Sequence, residues 1–139
     1  MVNRHARDTA AEAIRDFMNG SITNREYERR FPTARGDPAL WAIHTALWSG
    51  YSDVSEHTMT GKYALTDEGR AIVERCVVFL RSDLEFQWPP PKFRLLYGIL
   101  RVLGLGRVVK RWEDEDMSIG DREVWPFLKK AQYQETCPQ

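Results

Sequence analysis

Five groups of residues in this chain have types and spacings that could support chemistry. Asp53, Glu56 and His57 offer two carboxylates and an imidazole within one short stretch, the donor set of a divalent-metal or acid–base site. Adjacent Glu and His do not both face one ion on a regular helix, so a turn cluster after a helix is the simpler expectation. Asp114, Asp116 and Ser118 imitate the odd-position oxygens of a calcium loop. Ile119 stands where that loop requires glycine, and Trp125 where it needs a bidentate acid. Gly104-Leu105-Gly106 has the start of a phosphate-binding turn, with Val109 in place of the third glycine. Cys76 lies mid-helix on an apolar face, the setting of an inert core thiol. Asp83 and Glu85 alternate with Leu84, Phe86 and Trp88, which a half-buried extended segment already explains. No catalytic residue, metal site or cofactor is therefore expected, and enzyme activity is disfavoured.

The strongest signal is physical rather than catalytic. Lys92 to Trp112 reads KFRLLYGILRVLGLGRVVKRW, with six Lys or Arg, no acid and mostly apolar residues between them. It is bounded by Trp88-Pro89-Pro90-Pro91 on one side and Glu113-Asp114-Glu115-Asp116 on the other. A helix apolar almost all round is buried or docked. Eleven helical residues from Phe93 to Leu103 span only about 16 Å against a hydrocarbon core of about 30 Å, so crossing a bilayer is excluded by length. Membrane-surface attachment is opposed by the acid cluster. Arg107, Lys110, Arg111, Trp112, Glu113 and Asp114 are the candidate partner-binding residues, because a local contrast of charge favours oriented docking. On a continuous helix Lys110 and Asp114, or Arg111 and Glu115, stand four apart, yet such pairs contribute only about 0.3 to 0.5 kcal/mol. That gain does not account for so dense a cluster.

Composition narrows the class further. The 139 residues are 42% hydrophobic and 29% charged, which suits one globular domain and not a disordered chain. Net charge is zero, and the basic segment is neutralised by its neighbours. A nucleic-acid binder would show its surplus over a whole face. Two cysteines without close spacing, Cys76 and Cys137, suit a reduced cytoplasmic chain. The opening MVNRHARDTAAEAIRDF carries acids and no apolar run, so neither a secretory signal nor a transit peptide is expected.

The elements that must position these residues are mainly helical. Thr9 and Glu12 form a capping-box pair ahead of Ala13, Ile14, Phe17 and Met18, predicting a helix that ends at Asn19-Gly20. Thr23 and Glu26 repeat the pattern for Asn24 to Arg30. Asp37-Pro38 starts a third helix, in which Leu40, Ile43, Leu47, Trp48 and Tyr51 form the apolar face and Trp48 is expected in the core ahead of Trp41. Thr66 or Asp67 caps a fourth, with Ala71, Ile72, Cys76, Phe79 and Leu80 facing inward and Val77 flanking. Helices are also expected from Phe93 and Arg107 and from Pro126, with an extended piece at Leu84 to Trp88 and a possible hairpin around Met59 to Leu65. The expected architecture is mainly α: a compact single-domain bundle of five to seven helices over residues 1–139, with at most a small β-hairpin and a possible sub-boundary at prolines 89–91.

Three stretches carry resemblances. GSITNREYE, residues 20–28, is similar to half of a short bacterial helical-hairpin oligomerisation motif. YALTDEGR, residues 63–70, resembles the wing-to-final-helix junction of winged-helix regulators, although the preceding Ser52 to Thr60 lacks the basic recognition helix. Over residues 12–90 the order of GSITNREYERRFP, DPALWAIHTALWSGYSD and GKYALTDEGRAIVERCVVFLRSDLEFQWP resembles a set of small bacterial proteins with no activity attached to them. This resemblance implies a compact bacterial domain and supplies no functional residues. With five Trp, five Tyr and six Phe in a small chain, the expected function is non-enzymatic binding of another protein or a second copy, as an inhibitor, immunity protein or adaptor. The alternatives are a winged-helix-like nucleic-acid binder using Arg107, Lys110 and Arg111 or the Tyr63 to Arg70 wing, or a metal-dependent enzyme around Asp53, Glu56 and His57.

Overall fold

Alanine decides how closely the helices meet. A computed structural model describes residues 1–33, 35–89, 102–104, 107, 110, 111, 114 and 118–137. Helix α1, Arg4–Met18, buries Ala6, Ala10, Ala11, Ala13, Ile14 and Phe17. Small residues on that face allow a close approach of α4, which α1 contacts, and Ile14 and Phe17 supply the large apolar area, each contributing about 1.5 to 3 kcal/mol when fully buried. The helix is capped six residues before the expected position. Asn3, not Thr9, is the N-cap, accepting the Ala6 N–H at 3.1 Å. Thr9 sits inside the helix and donates to the His5 carbonyl at 3.0 Å. The earlier start brings Ala6 and Arg7 into the interior, a tertiary gain that a local capping pattern does not register.

Helix α2, Asn24–Arg30, follows a turn at Gly20, whose φ of 73° is left-handed and whose missing Cβ would meet Thr60 Cγ2 at 2.7 Å. Thr23 caps it as the sequence implies, at 3.3 Å from the Glu26 N–H. Helix α3, Pro38–Trp48, is capped by Asp37 with proline at its first turn, and α4, Asp67–Leu80, is capped by Thr66 at 3.1 Å from the Gly69 N–H. Helix α1 packs on α2 and α4, and α3 packs on α4. On α4 the buried face is Val73, Cys76, Val77, Phe79 and Leu80. Ala71 and Ile72, expected inside, are exposed, because the face that meets α1 is rotated toward Val73 and Val77.

Residues Met59 to Leu65 form no hairpin; Gly61–Tyr63 is a single 3-10 turn. There is no strand among the described residues. Leu84 to Trp88 nevertheless has a strand's alternation: Leu84 and Phe86 are half-buried, Trp88 is buried, and Asp83, Glu85 and Gln87 are exposed. This ribbon lies on the helical core, where Phe86 meets Phe79 edge-on at 6.1 Å. Trp88 Nε1 donates to the carbonyls of Pro126 and Phe127, each at 3.1 Å. Phe127 is fully buried, edge-on to Phe79 at 5.1 Å, so residues beyond the proline run join the same core. The final helix, α5, is Lys130–Thr136. It starts later than the expected Pro126, because Val124, Pro126 and Phe127 are committed to the core and the Gln132 side chain takes the N–H groups of Leu128 and Lys129 at 3.1 and 3.2 Å. The chain is thus a mainly helical bundle, as its periodicity implies. The expected helices from Phe93 and Arg107 fall largely outside the described residues.

Candidate functional site

The direction of α3 is set by a buried ion pair. Arg7 and Asp37 are 1% and 0% exposed in their side chains and are bidentate, at 2.7 Å from Nε and 3.0 Å from Nη2. Asp37 also accepts the N–H groups of Asn3 at 3.0 Å and Ala39 at 3.2 Å. Arg7 Nη1 donates to the carbonyls of Leu84 at 2.7 Å and Ser82 at 3.2 Å, and the guanidinium lies 5.3 Å from the Phe79 ring centre. One pair therefore ties the start of α1, the start of α3 and the end of α4. Burial alone would raise the Asp37 carboxyl, but the Arg7 hydrogen bond, the two backbone donors and the Arg7 charge hold it below its ordinary value.

Held in this way, α3 turns Leu40 and Ile43 inward and leaves a stripe of Trp41, His44 and Trp48 outward. Trp41 and Trp48 are 53% and 52% exposed. The expectation that Trp48 is core is thereby corrected. Eight residues beyond Leu40, it is rotated about 80° from that side chain on a helix advancing about 100° per residue, at the edge of the buried face. His44 is half-buried, with Nδ1 3.5 Å from the Tyr27 hydroxyl and its ring 4.7 Å from that of Phe31. Burial lowers its pKa, against a weaker opposing pull from Glu28. An open groove of about 870 Å³ runs along this stripe over Phe31, Pro32, Pro38, Leu40 and Trp41, with Arg35 at its edge. A second hollow of about 390 Å³ adjoins it between Arg25, Glu28, His44, Trp48 and Asp53. The signal for this face was present in the spacing of Trp41, His44 and Trp48 at i, i+3 and i+7, a stripe distinct from that of Leu40, Ile43 and Leu47.

The proposed metal or acid–base cluster is not assembled. His57 is buried and lies against the Tyr63 ring at 3.9 Å, while its backbone N–H is accepted by the Asn24 side chain at 2.9 Å. Asn24 also donates to the carbonyls of Ser52 and Ser55, at 3.3 and 3.2 Å, so the loop is a pinned turn. Glu56 accepts from Thr23 at 2.7 Å, and Asp53 is exposed in the hollow beside Trp48. Among the described residues no group of three or more His, Cys, Asp or Glu could hold a metal ion. Asp83 and Glu85 are both exposed, and Asp83 lies 3.5 Å from the Arg4 guanidinium. Burial pushes the Cys76 thiol up to about 12, matching the inert core thiol expected of it.

Of the six candidate partner-binding residues, Arg107, Lys110, Arg111 and Asp114 are exposed and, with Ser118, surround an open depression of about 400 Å³. Trp112 and Glu113 lie outside the described residues, as do Asp116 of the calcium-like spacing and the Leu105-Gly106 step of the glycine turn. No helix among the described residues is long and apolar enough to cross a membrane. Compared with known proteins, the chain matches no family model, no curated sequence and no solved structure.

Proposed function

We propose that this protein is a non-enzymatic protein-binding module, of the kind that serves as an inhibitor, immunity protein or adaptor, and that its docking face is the outer stripe of α3. The observation that carries the reading is the pair of half-exposed tryptophans, Trp41 and Trp48, one helical face apart from the core and bordered by grooves. Leaving two indoles in water is costly, and tryptophan is the side chain most enriched where protein interfaces concentrate their energy. Arg25 and Arg35 line the hollows together with the carboxylates of Glu28 and Asp53, a mixed polar rim that suits a partner presenting apolar pockets for the indoles and charges of both signs around them. Arg107, Lys110, Arg111 and Asp114, gathered around a separate depression, support a second role in orienting the partner during approach.

The test uses a protein retained by the immobilised chain and then purified. Trp41→Ala with Trp48→Ala should weaken its binding roughly 30-fold or more, the tenfold-per-1.4 kcal/mol equivalent of a single hot spot of about 2 kcal/mol. The variant's melting temperature should stay within a few degrees of the parent. Equal affinity in parent and variant would refute the docking face. A salt-dependent shift of single-stranded nucleic acid that is lost in the same variant would replace a protein partner with a nucleic acid.

A further inference from the structure

A separate cleft opens between the C-terminal ends of α1 and α3 and the start of α4. Its volume is about 220 Å³, and every one of the fourteen described residues that line it is uncharged. Phe17 and Tyr27, stacked at 4.9 Å, and Tyr51, edge-on to Phe17 at 5.1 Å, supply its aromatic wall. Met18 and Met59 add two polarizable thioethers, and Leu47, Ile72 and Val73 complete the aliphatic side.

The three hydroxyls of the lining are already engaged. The Tyr51 hydroxyl donates to Glu28 at 3.1 Å, the Ser49 hydroxyl to the Ala46 carbonyl at 2.6 Å, and the Tyr27 hydroxyl contacts His44 at 3.5 Å. The Gly50 N–H donates to the Leu47 carbonyl at 2.9 Å, and the Gly69 N–H to Thr66 at 3.1 Å. A charged or strongly hydrogen-bonding ligand would lose its hydration here and recover little of it. A dry apolar cavity of about 150 Å³ is large enough to take benzene, so this one admits a ring system of indole size. Two methionine sulfurs and three aromatic rings favour a flat π-system over a saturated chain.

We infer that this cleft is a binding site for a small, uncharged aromatic molecule of one or two rings. It is distinct from the tryptophan stripe and does not depend on the docking role proposed for that stripe. The probe is indole, titrated into the full chain and followed by amide NMR, with benzoate as the charged control. Saturable shifts are expected at the Gly50, Gly69 and Val73 amides, with benzoate at least tenfold weaker. Ile72→Trp, which adds bulk from the partly exposed rim, should weaken indole binding at least tenfold with little change in melting temperature; Leu65→Phe serves if that variant does not fold. Trp41→Ala with Trp48→Ala should leave indole binding unchanged. Absence of saturable shifts at the solubility limit of indole, equal binding of benzoate, or full binding by both filled variants would each overturn the inference.

Discussion

Replacing Asp37 by alanine should be among the most damaging single changes in this protein. The carboxylate accepts four hydrogen bonds, two from Arg7 and one each from the backbones of Asn3 and Ala39. Asp37→Ala leaves the buried guanidinium, among the described residues, with the Ser82 and Leu84 carbonyls as its hydrogen-bond partners. Removing one member of a buried pair costs about 3 to 5 kcal/mol, and loss of a helix N-cap about 1 kcal/mol. Both losses pass through the same carboxylate, so they do not add, and about 4 kcal/mol is the working figure. For a chain of this size that corresponds to a fall of roughly 15 °C in melting temperature. Circular dichroism melts and urea titrations at pH 7 measure it directly. Because the folded Asp37 pKa lies below its ordinary 3.8, its contribution is complete above that value and is lost as pH falls through the folded pKa. The gap between parent and variant should therefore narrow in acid. A second measurement isolates the pair: Arg7→Met combined with Asp37→Ala should cost at least about 2 kcal/mol less than the two single changes summed. An Asp37→Ala protein that melts within about 2 °C of the parent at pH 7, or a gap that stays constant into acid, would refute the reasoning.

Trp48→Ala should cost less than about 2 kcal/mol, well short of the 3 to 5 kcal/mol of a buried tryptophan, as measured by urea denaturation. A thiol reagent at pH 8 should label Cys137 quickly in the native protein and Cys76 only after denaturation, since Cys76 is buried with its thiol pushed up to about 12. Reversing Lys110 and Arg111 to Glu should leave stability within about 1 kcal/mol and slow association with a purified partner at low salt, the difference vanishing at high salt. An unchanged rate with a large loss of melting temperature would assign these charges to the fold alone. A chain ending at Pro91 should be molten by near-ultraviolet dichroism, because Phe79 loses Phe127 and Trp88 loses both its carbonyl acceptors; a sharp thermal transition would contradict it.

The helical class and the starts of α2, α3 and α4 were legible in the sequence because they rest on local chemistry. Thr23, Asp37 and Thr66 each cap the helix that immediately follows, and such bonds span only two or three residues. Alternation at Leu84 to Trp88 was legible for the same reason, although it needed no partner strand. Tertiary structure decided what periodicity leaves open. The spacing separates two stripes on α3 but does not say which is buried; in the packed chain Leu40 and Ile43 are inside and Trp41 and Trp48 at the surface, with the start of the helix anchored by the Arg7–Asp37 contact, thirty residues apart in sequence. The Asp53, Glu56 and His57 grouping failed for the converse reason. Neighbours in sequence were turned apart by Asn24 and Tyr63, whose bonds and ring contact with that loop depend on the packed chain and have no local signature.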